Sequence, residues 1–478
     1  MPTTPPFGRW KRLLVLLLAA SLLPLPPAGA ITFREEEELS QEILRYIFRR
    51  MPVIDDPYIT AYVDRVGRRL LAGLSDQPFR YRFYVIQQDA FNAFATPAGH
   101  VFIYSGLIAA MEGEEELAGI LGHEIAHVAC RHISQKIDLA KKVGWAQLAG
   151  MAAGMLLGVA AGSGAAATAT MMGSAAAGAT IQLAFSRENE SQADHLGLQY
   201  LREAGYGAEG LLATLRKIRA RQAFGKGQVP TYMLTHPAIE DRISAIANWI
   251  EEHPEAGRKG RQGDPAAWER FLTRILTETT DPSAELARQE EILAREPDQA
   301  LARHRRALLL LKLNRPAEAG AELQRLLAKD AFNPWLLRDL GRAYFQAGRL
   351  EEAASLLETA LRRLPQDPDT LLFLGRVRQE TGRPEEAIGL FRELTRAAPD
   401  FREGHYFLGQ ALGREGRLGE AHYTLGVYHF KSRDFKTAAI QFRNGLRHAA
   451  ESDLRERLLQ GLQNAEREIQ AEKKMQDG

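Results

Sequence analysis

The pattern of apolar and polar positions predicts a mostly helical chain with one short region of strands. Amphipathic helices are predicted over residues 35–49 and 57–74, where apolar side chains recur at helical spacing. Residues 80–87 alternate apolar and polar side chains, which is typical of a half-buried strand, and residues 100–104 (HVFIY) are a second strand candidate. Between them, residues 93–99 contain a proline and a glycine and are predicted to form a turn-rich connector.

A further helix is predicted directly after the second strand. Three glutamates at positions 114–116 favour a helix start, because the helix dipole stabilises acidic residues in the first turn. Apolar residues then follow at helical spacing: Leu117, Ile120, Leu121, Ile125 and Val128. His123 and His127 lie one turn apart on one face, with Glu124 beside the first. Two imidazoles at this spacing can hold one zinc ion, and the carboxylate can activate a water molecule.

A catalytic zinc needs a third protein ligand and an open fourth position. Glu190 is the candidate, and Asp194 lies four residues later on the same helix face. Asp194 can accept a hydrogen bond from a ligand imidazole and so fix its tautomer. Glu188 is the competing ligand, although its partner four residues on, Gln192, is a poorer acceptor. The alternative is that these acidic residues are ordinary solvated helix charges.

The C-terminal half contains a 34-residue repeat. Small residues recur at this step in three columns: Gly341, Gly375 and Gly409; Gly348, Gly382 and Gly416; and Ala319, Ala353, Ala387 and Ala421. Asn314 takes the turn position of the first unit, a further helix starts near Asp434, and residues 453–474 are predicted to be a polar capping helix. Paired helices with this period are typical of tetratricopeptide repeats, whose concave groove binds peptides or partner proteins.

The N-terminus and the composition indicate an exported protein. Residues 1–30 have a positive start, an apolar core and an Ala-Gly-Ala ending, which predicts a signal peptide cleaved near Ala30; an uncleaved anchor is the alternative. Cys130 is the only cysteine, so there is no internal disulfide, and it is interpreted as a small buried hydrophobe with metal ligation as the minor alternative. The periplasm suits these features. The net charge of +1 gives no sign of nucleic-acid binding.

Two unusual segments divide the mature chain. Residues 145–185 carry no charged side chain, and we expect a helical cover over the active site that touches a membrane surface; transmembrane insertion is the alternative. Residues 251–265 are polar and rich in Gly and Pro, which marks a domain boundary. The expected domains are therefore a metallopeptidase domain over 31–250, a linker and connecting helix over 251–283, and repeats over 284–474.

The motifs resemble those of the HtpX and CAAX-prenyl-protease type zinc metallopeptidases. The matching stretches are HEIAH followed by VACRH, ESQADHLG from Glu190, NAFATPAG at residues 92–99, and Thr235-His236-Pro237 with Arg242 downstream. The resemblance implies a mainly α chain: an α+β zincin-like metallopeptidase domain of the gluzincin type, followed by an α-solenoid of tetratricopeptide repeats.

The resemblance also assigns roles to the candidate residues. It implies one zinc ion held by His123, His127 and Glu190, Glu124 as general base, and Asp194 supporting a ligand. His236 and Arg242 would lie over the metal. There His236 would polarise the scissile carbonyl, or cap the zinc in a resting state together with the 145–185 cover.

With a signal peptide and a repeat array, the resemblance implies a periplasmic zinc endopeptidase. Its expected substrates are misfolded or stalled outer-membrane proteins, whose assembly it would also assist. Its repeats would recruit substrates or the β-barrel assembly machinery. An extended substrate is expected to add to the edge of strand 100–104. The alternatives are a repeat-based scaffold or chaperone with a vestigial metal site, and an integral-membrane protease.

Overall fold

The computed structural model describes residues 31–477 apart from 75–76, 78, 140–184, 225–229 and 258–262. The predicted signal peptide therefore lies outside the described residues, as does the uncharged segment 145–185 except for Phe185. Among the helices of the described ranges, none combines the length and the apolar character that a bilayer span requires.

The N-terminal half of the described chain is helical around one small sheet. Its elements in chain order are α1 (Phe33–Arg50), α2 (Pro57–Leu71), β1 (Arg82–Ile86), β2 (Ala93–Thr96), β3 (His100–Tyr104), α3 (Ser105–Ala109), α4 (Glu114–Ala129), α5 (His132–Leu139), α6 (Arg187–Glu203), α7 (Glu209–Phe224), α8 (Thr231–Thr235), α9 (Ile239–Glu252) and α10 (Pro254–Gly257). The two predicted N-terminal helices are confirmed, although α2 ends three residues before the predicted end.

Local signals in the sequence explain where α1 and α2 begin. Thr32 and Glu35 form a capping box, in which each side chain hydrogen-bonds the other residue's backbone N–H. Asp56 caps α2 by accepting hydrogen bonds from the backbone N–H groups of Tyr58 and Ile59, and Pro57 takes the first helical position. These caps fix the two helices that cover opposite faces of the sheet.

The sheet has the order β1-β3-β2, and this order corrects two predictions. The region 93–99 was expected to be a connector, but its first four residues form β2, which pairs antiparallel with β3. A short 3-10 turn over Pro97–Gly99 then reverses the chain. Strand 100–104 is β3, and it pairs with β1 on its other side. The prediction that it adds a substrate to a free edge is therefore wrong, because both of its edges are occupied.

Each face of the sheet belongs to a separate apolar cluster. One face packs with α2, α4 and α6, and the other packs against α1, where Phe94 and Phe102 contact the cluster of Leu39, Ile43 and Ile47. The α4–α6 crossing is unusually close because it is made by glycines. A Cβ at Gly197 would lie 3.2 Å from the backbone nitrogen of His123. This approach brings the acidic residues of α6 up to the histidines of α4.

The C-terminal half is a run of paired helices. Its elements are α11 (Pro265–Thr279), α12 (Pro282–Arg295), α13 (Ala300–Lys312), α14 (Pro316–Leu327), α15 (Pro334–Gln346), α16 (Leu350–Arg363), α17 (Pro368–Glu380), α18 (Pro384–Ala397), α19 (Arg402–Arg414), α20 (Leu418–Lys431), α21 (Phe435–Leu446) and α22 (Ser452–Asp477). The predicted mainly α fold, with an α+β domain followed by helical repeats, is confirmed.

The columns of small residues have the physical roles that the 34-residue period predicts. Gly375 lies where α17 crosses α18, and a Cβ there would come within 2.5 Å of the Phe391 ring. Gly348 follows the end of α15 with φ of +74°, a left-handed conformation that glycine adopts without strain. Asn314 takes the equivalent turn position with φ of +56°, and asparagine tolerates that conformation better than most residues.

Helix α11 joins the two halves by packing on the first. Its Trp268, Phe271 and Ile275 belong to the same apolar cluster as α2, α4 and α6, and the Phe271 ring stacks on Tyr62 at a centroid distance of 4.2 Å. On its other side, Arg274 forms ion pairs with Asp56 at 2.6 Å and with Asp369 of the repeats at 3.2 Å. The repeat array is therefore tied to the N-terminal half by both apolar and ionic contacts.

Candidate active site

Helix α4 places three chemically active side chains in a closed interior. His123, Glu124 and His127 are each 0% exposed. Such burial is unusual for a carboxylate and two imidazoles, because each must find a partner to offset its lost hydration. The partners of the two imidazoles come from α6 and from the segment around α8.

Four of the predicted residues converge on one point. The possible ligand atoms of His123, His127, Glu190 and His236 all lie within 4.8 Å of one another, and all four residues are buried. The Nε2 atoms of His123 and His127 are 3.0 Å apart. The Glu190 carboxylate oxygens lie 3.6 Å from His123 Nε2 and 3.4 Å from His127 Nε2. His236 Nδ1 lies 3.4 Å from His123 Nε2 and 3.1 Å from Glu190 Oε1.

These spacings fit a metal ion with four ligands. A tetrahedral zinc with bonds of about 2.0–2.1 Å keeps its ligand atoms about 3.3–3.4 Å apart. The separations of 3.0–3.6 Å bracket that value. Both carboxylate oxygens of Glu124 and the Nε2 atom of His236 are buried and have no hydrogen-bond partner within the described residues. Buried polar atoms normally have partners, so this site is built for a group that supplies them.

Asp194 and Arg242 support the ligands from behind. His123 Nδ1 lies 2.8 Å from Asp194 Oδ1, the kind of contact that orients a ligand imidazole. The Arg242 guanidinium bonds both Asp194 oxygens, at 2.7 and 2.8 Å, and lies 2.7 Å from Glu190 Oε2. Arg242 is only 4% exposed. Its charge is therefore directed at the two carboxylates, which it holds in fixed positions.

Burial and the neighbouring charges shift the pKa values of these groups. Burial raises the pKa of Glu124 above its usual range. Burial alone would also raise the pKa of Glu190, but the interactions with His236 and Arg242 outweigh it and hold that pKa well below the usual range. For Asp194, Arg242 and the hydrogen bond with His123 outweigh burial and lower the pKa to about 2. Burial lowers the pKa of His127, so its neutral form is favoured.

Aromatic rings close the site on the side of His236. Tyr232 stacks on the His236 ring at a centroid distance of 4.3 Å, and its hydroxyl lies 3.4 Å from Arg242. The Phe185 ring lies 4.0 Å from the His127 ring and 5.1 Å from the His236 ring. The Phe185 backbone N–H also donates to the carbonyl of Thr235. These contacts hold His236 against the ligand cluster.

The other candidates lie elsewhere. Glu188 is exposed on α6, so the competing ligand is not part of the cluster. Cys130 is half-buried at the C-terminal cap of α4 and does not belong to the group of possible ligands.

Sequence reasoning missed the roles of Tyr232, Phe185 and His132. Tyr232 lies in the five-residue helix α8 and Phe185 lies just before α6, and neither position is part of a periodic pattern long enough to indicate which way the side chain points. His132 Nδ1 lies 2.9 Å from His127 Nδ1, although the two residues are five positions apart and a continuous helix would not bring them together. The chain reverses at Arg131, whose φ is +54°. The HEIAHVACRH stretch contained this histidine, but nothing in its spacing indicated the contact.

Comparison with known proteins supports this organisation. Residues 57–250 match peptidase family M48, and residues 310–369 and 344–411 match the tetratricopeptide repeat. A putative beta-barrel assembly-enhancing protease of Vibrio cholerae is 32% identical over 260 residues, which cover 51% of this chain and 53% of the relative. The beta-barrel assembly-enhancing protease of Yersinia pestis is 30% identical over 329 residues, covering 67% of this chain and 66% of the relative.

A further relative matches a shorter part of the chain. The mitochondrial metalloendopeptidase OMA1 of Schizosaccharomyces pombe is 30% identical over 207 residues, which cover 43% of this chain and 56% of the relative. The chain thus spans between about half and two thirds of the length of these relatives. Residues 57–250 form a peptidase family M48 domain, and the helices that follow them carry tetratricopeptide repeats.

Proposed function

We propose that this protein is a zinc-dependent endopeptidase with two histidines and a glutamate as metal ligands. One observation supports this above the others: His123, His127 and Glu190 converge with tetrahedral spacing beside the buried carboxylate of Glu124, which accepts no hydrogen bond from the described residues. Two imidazole nitrogens and a carboxylate oxygen suit zinc better than a hard cation such as magnesium. A metal bound here is implied by the family, and its identity as zinc is part of the proposal.

The chain's own groups have distinct tasks in this scheme. When bound, zinc would supply Lewis acidity to the scissile carbonyl and would acidify a water molecule. Glu124 takes the proton from the attacking water and passes it to the leaving amine. Asp194 and Arg242 act as positioning residues, because their contacts are with the ligands and with each other. A direct role for Arg242 at the oxyanion has no support in these contacts.

His236 has a different task from these residues, which is to keep the site inactive in the closed state. Its Nδ1 atom stands where the fourth ligand of a tetrahedral metal would be, and its Nε2 atom lies 3.7 Å from Glu124. A catalytic zinc site needs that position for water. His236 therefore blocks the site in the closed state and must withdraw before cleavage begins.

The edge of β2 that faces away from β3 is the proposed binding site for an extended substrate. Tyr104 donates to the carbonyl of Asn92 on the inner edge, so Ala93 and Ala95 direct their backbone groups outward. Within the described residues, no backbone hydrogen bond reaches those outward groups. Ala93 and Ala95 are buried in the closed state, so a peptide could add a strand there only after the groups that cover this edge withdraw. Such a peptide would have to be extended, which favours unfolded chains over folded ones.

The names of the relatives and the repeat array support the biological part of the proposal. We assign the protein to the periplasm, with residues 1–30 as a cleaved signal peptide, and with misfolded or stalled outer-membrane proteins as substrates. The repeats would recruit those substrates or the β-barrel assembly machinery. A cavity of about 2170 Å³ between the N-terminal half and the inner helices of the array offers space for a bound polypeptide.

The proposed domains are those that the sequence predicts. They are the catalytic domain over 31–250, the linker and connecting helix over 251–283, and the repeats over 284–474. The segment 145–185 would cover the site and touch a membrane surface.

The test compares the wild-type protein with Glu124→Gln. Zinc content is measured by elemental analysis, and cleavage is followed with casein and with a misfolded porin. Equal zinc content, with cleavage lost in the variant, would support the scheme, since Glu124 is not a ligand. Equal cleavage by both proteins would refute it. Absence of zinc and of cleavage in both would favour the repeat-based scaffold instead.

A further inference from the structure

A second histidine lies directly behind the metal ligand His127. His132 Nδ1 is 2.9 Å from His127 Nδ1, and His132 Nε2 is 3.0 Å from Gln192 Oε1 on α6. His132 is 1% exposed, whereas the Gln192 side chain lies at the surface. The three side chains thus form a continuous chain of hydrogen bonds from solvent to the ligand cluster.

The turn at Arg131 is held in place by the contacts of the Arg131 side chain. The Arg131 guanidinium pairs with Glu36 of α1 at 2.7 Å and also donates to the carbonyl of Ile31. Ser134 donates to the same carboxylate. His132 is therefore fixed between two anchored neighbours, and its place behind His127 is part of the folded framework.

With both imidazoles neutral, the protons in this chain of hydrogen bonds can be arranged in only two ways. If His127 binds metal through Nε2, its proton is on Nδ1 and is donated to His132 Nδ1. His132 then carries its own proton on Nε2 and needs an acceptor, which is the Gln192 oxygen. If Gln192 instead presents its NH₂ group, it donates to His132 Nε2, and His132 then donates from Nδ1 to His127 Nδ1. His127 then carries its proton on Nε2 and has no lone pair for the metal.

We propose that His132 and Gln192 are positioning residues that set the tautomer and the ring orientation of His127. This inference rests on the proposed metal site. The two ligand histidines are then supported differently. His123 is backed by the carboxylate of Asp194, which only accepts hydrogen bonds, whereas His127 is backed by an imidazole and an amide that can each donate or accept. The direction of the Gln192 amide therefore determines whether His127 is ready to bind metal.

Two substitutions of Gln192 test this directly, because the residue is exposed and both replacements suit a helix. An ionised glutamate can only accept a hydrogen bond from His132. Gln192→Glu should therefore hold His127 in its metal-binding tautomer and tighten zinc binding several-fold. Lys can only donate, so Gln192→Lys should weaken zinc binding by about tenfold, the lower end of the usual effect of such partners. The zinc dissociation constant is measured on the full chain by competition with a chelator.

The matched control separates hydrogen bonding from simple charge. Ser191 is the exposed neighbour on the same helix, and Ser191→Glu and Ser191→Lys introduce the same charges without reaching His132. If the Ser191 pair changes the zinc dissociation constant as much as the Gln192 pair, the proposal is overturned. If the parent protein binds no zinc at all, the proposed metal site fails, which is a distinct result.

A spectroscopic measurement tests the tautomers themselves. Long-range ¹H–¹⁵N spectra of histidine-labelled, zinc-loaded protein should show His127 protonated on Nδ1 and His132 on Nε2. His132→Phe should weaken zinc binding by about tenfold or more. His132→Gln, which offers an oxygen to His127, should restore part of the affinity. A His132 signal with the proton on Nδ1 in the zinc-loaded protein would contradict the proposal.

Discussion

Gly197 of α6 packs directly on the backbone of His123 in α4. An added Cβ would lie 3.2 Å from the His123 nitrogen and 3.3 Å from its Cα, so helix α6 would have to move by a few tenths of an ångström. Glu190 and Asp194 are on the same helix, and their contacts with His123 depend on that distance. The closeness of two helix backbones thus determines the geometry of the metal site.

We therefore expect Gly197→Ala to weaken zinc binding several-fold, because a shift of a few tenths of an ångström uses most of the deviation of about 0.5 Å that a working site tolerates. The variant should still fold, since alanine favours a helix by about 1 kcal/mol over glycine. The zinc dissociation constant and the melting temperature of the metal-free protein are the measurements. Gly389→Ala is the control, because a Cβ at Gly389 meets no atom within 4 Å. Unchanged zinc affinity in Gly197→Ala would show that the helix contact does not control the site.

Replacement of His236 should reveal whether the closed state is inhibitory. In His236→Ala the atom at the fourth ligand position is gone, while His123, His127 and Glu190 remain. We expect zinc to be retained and casein cleavage to rise several-fold, since water gains the vacated position. Tyr232→Phe should raise casein cleavage less than His236→Ala does, because it keeps the ring stacked on His236 and removes only the hydroxyl. A plain loss of cleavage in His236→Ala, with zinc still bound, would instead make His236 a catalytic residue.

The sequence predicted the main elements of this protein for physical reasons that are easy to state. Helical spacing placed His123 and His127 on one face, and the 34-residue step placed Gly341 and Gly375 at helix crossings. Both patterns depend only on local geometry. Glu190 and Asp194 could be predicted because a zinc site with two histidines requires a third ligand and a group that orients a ligand imidazole. His236 was implied only by the resemblance to the zinc metallopeptidases.

Other features could not be predicted because they depend on long-range contacts. The order β1-β3-β2 put strand 100–104 in the middle of the sheet, and no local signal indicates which strand becomes an edge. Four residues of the 93–99 segment form β2, although nearby Pro97 and Gly99 suggested a connector. His132 reaches His127 only through the left-handed turn at Arg131. Residues other than glycine rarely adopt this conformation, so the sequence does not indicate it.

Arg274 should be essential to the attachment of the repeats to the peptidase domain. It pairs with Asp56 and Asp369, and all three side chains are 14% exposed or less. Arg274→Met removes the shortest ion pair of both buried carboxylates and leaves Asp369 with its longer contact to Arg338 at 3.8 Å. We therefore expect the free energy of unfolding to fall by about 3 kcal/mol. The measurement is urea unfolding, with limited proteolysis at the 251–265 linker as a second readout.

The control for Arg274 is Arg34, whose ion pair with Glu38 is 89% and 65% exposed. Arg34→Met should leave unfolding and proteolysis unchanged, because exposed pairs contribute little. Adding Asp369→Asn to Arg274→Met should recover part of the stability, since it removes one uncompensated charge. No loss of stability in Arg274→Met would show that this residue does not hold the repeats, and that the apolar contacts and other ion pairs, such as Arg45 with Glu468, are sufficient.

His100 should make the fold sensitive to mild acid. Burial, and then the nearby charge of Arg82, lower its pKa from 6.5 to about 4. Below pH 6.5 the unfolded chain takes up a proton that the folded chain refuses, so stability falls as the pH drops from 6.5 towards 4. The full contribution is roughly 3 kcal/mol. We expect His100→Gln to flatten this part of the curve when both proteins are unfolded in urea without metal, which removes any effect of metal release. Parallel curves for the two proteins between pH 7 and pH 4 would show that His100 titrates normally.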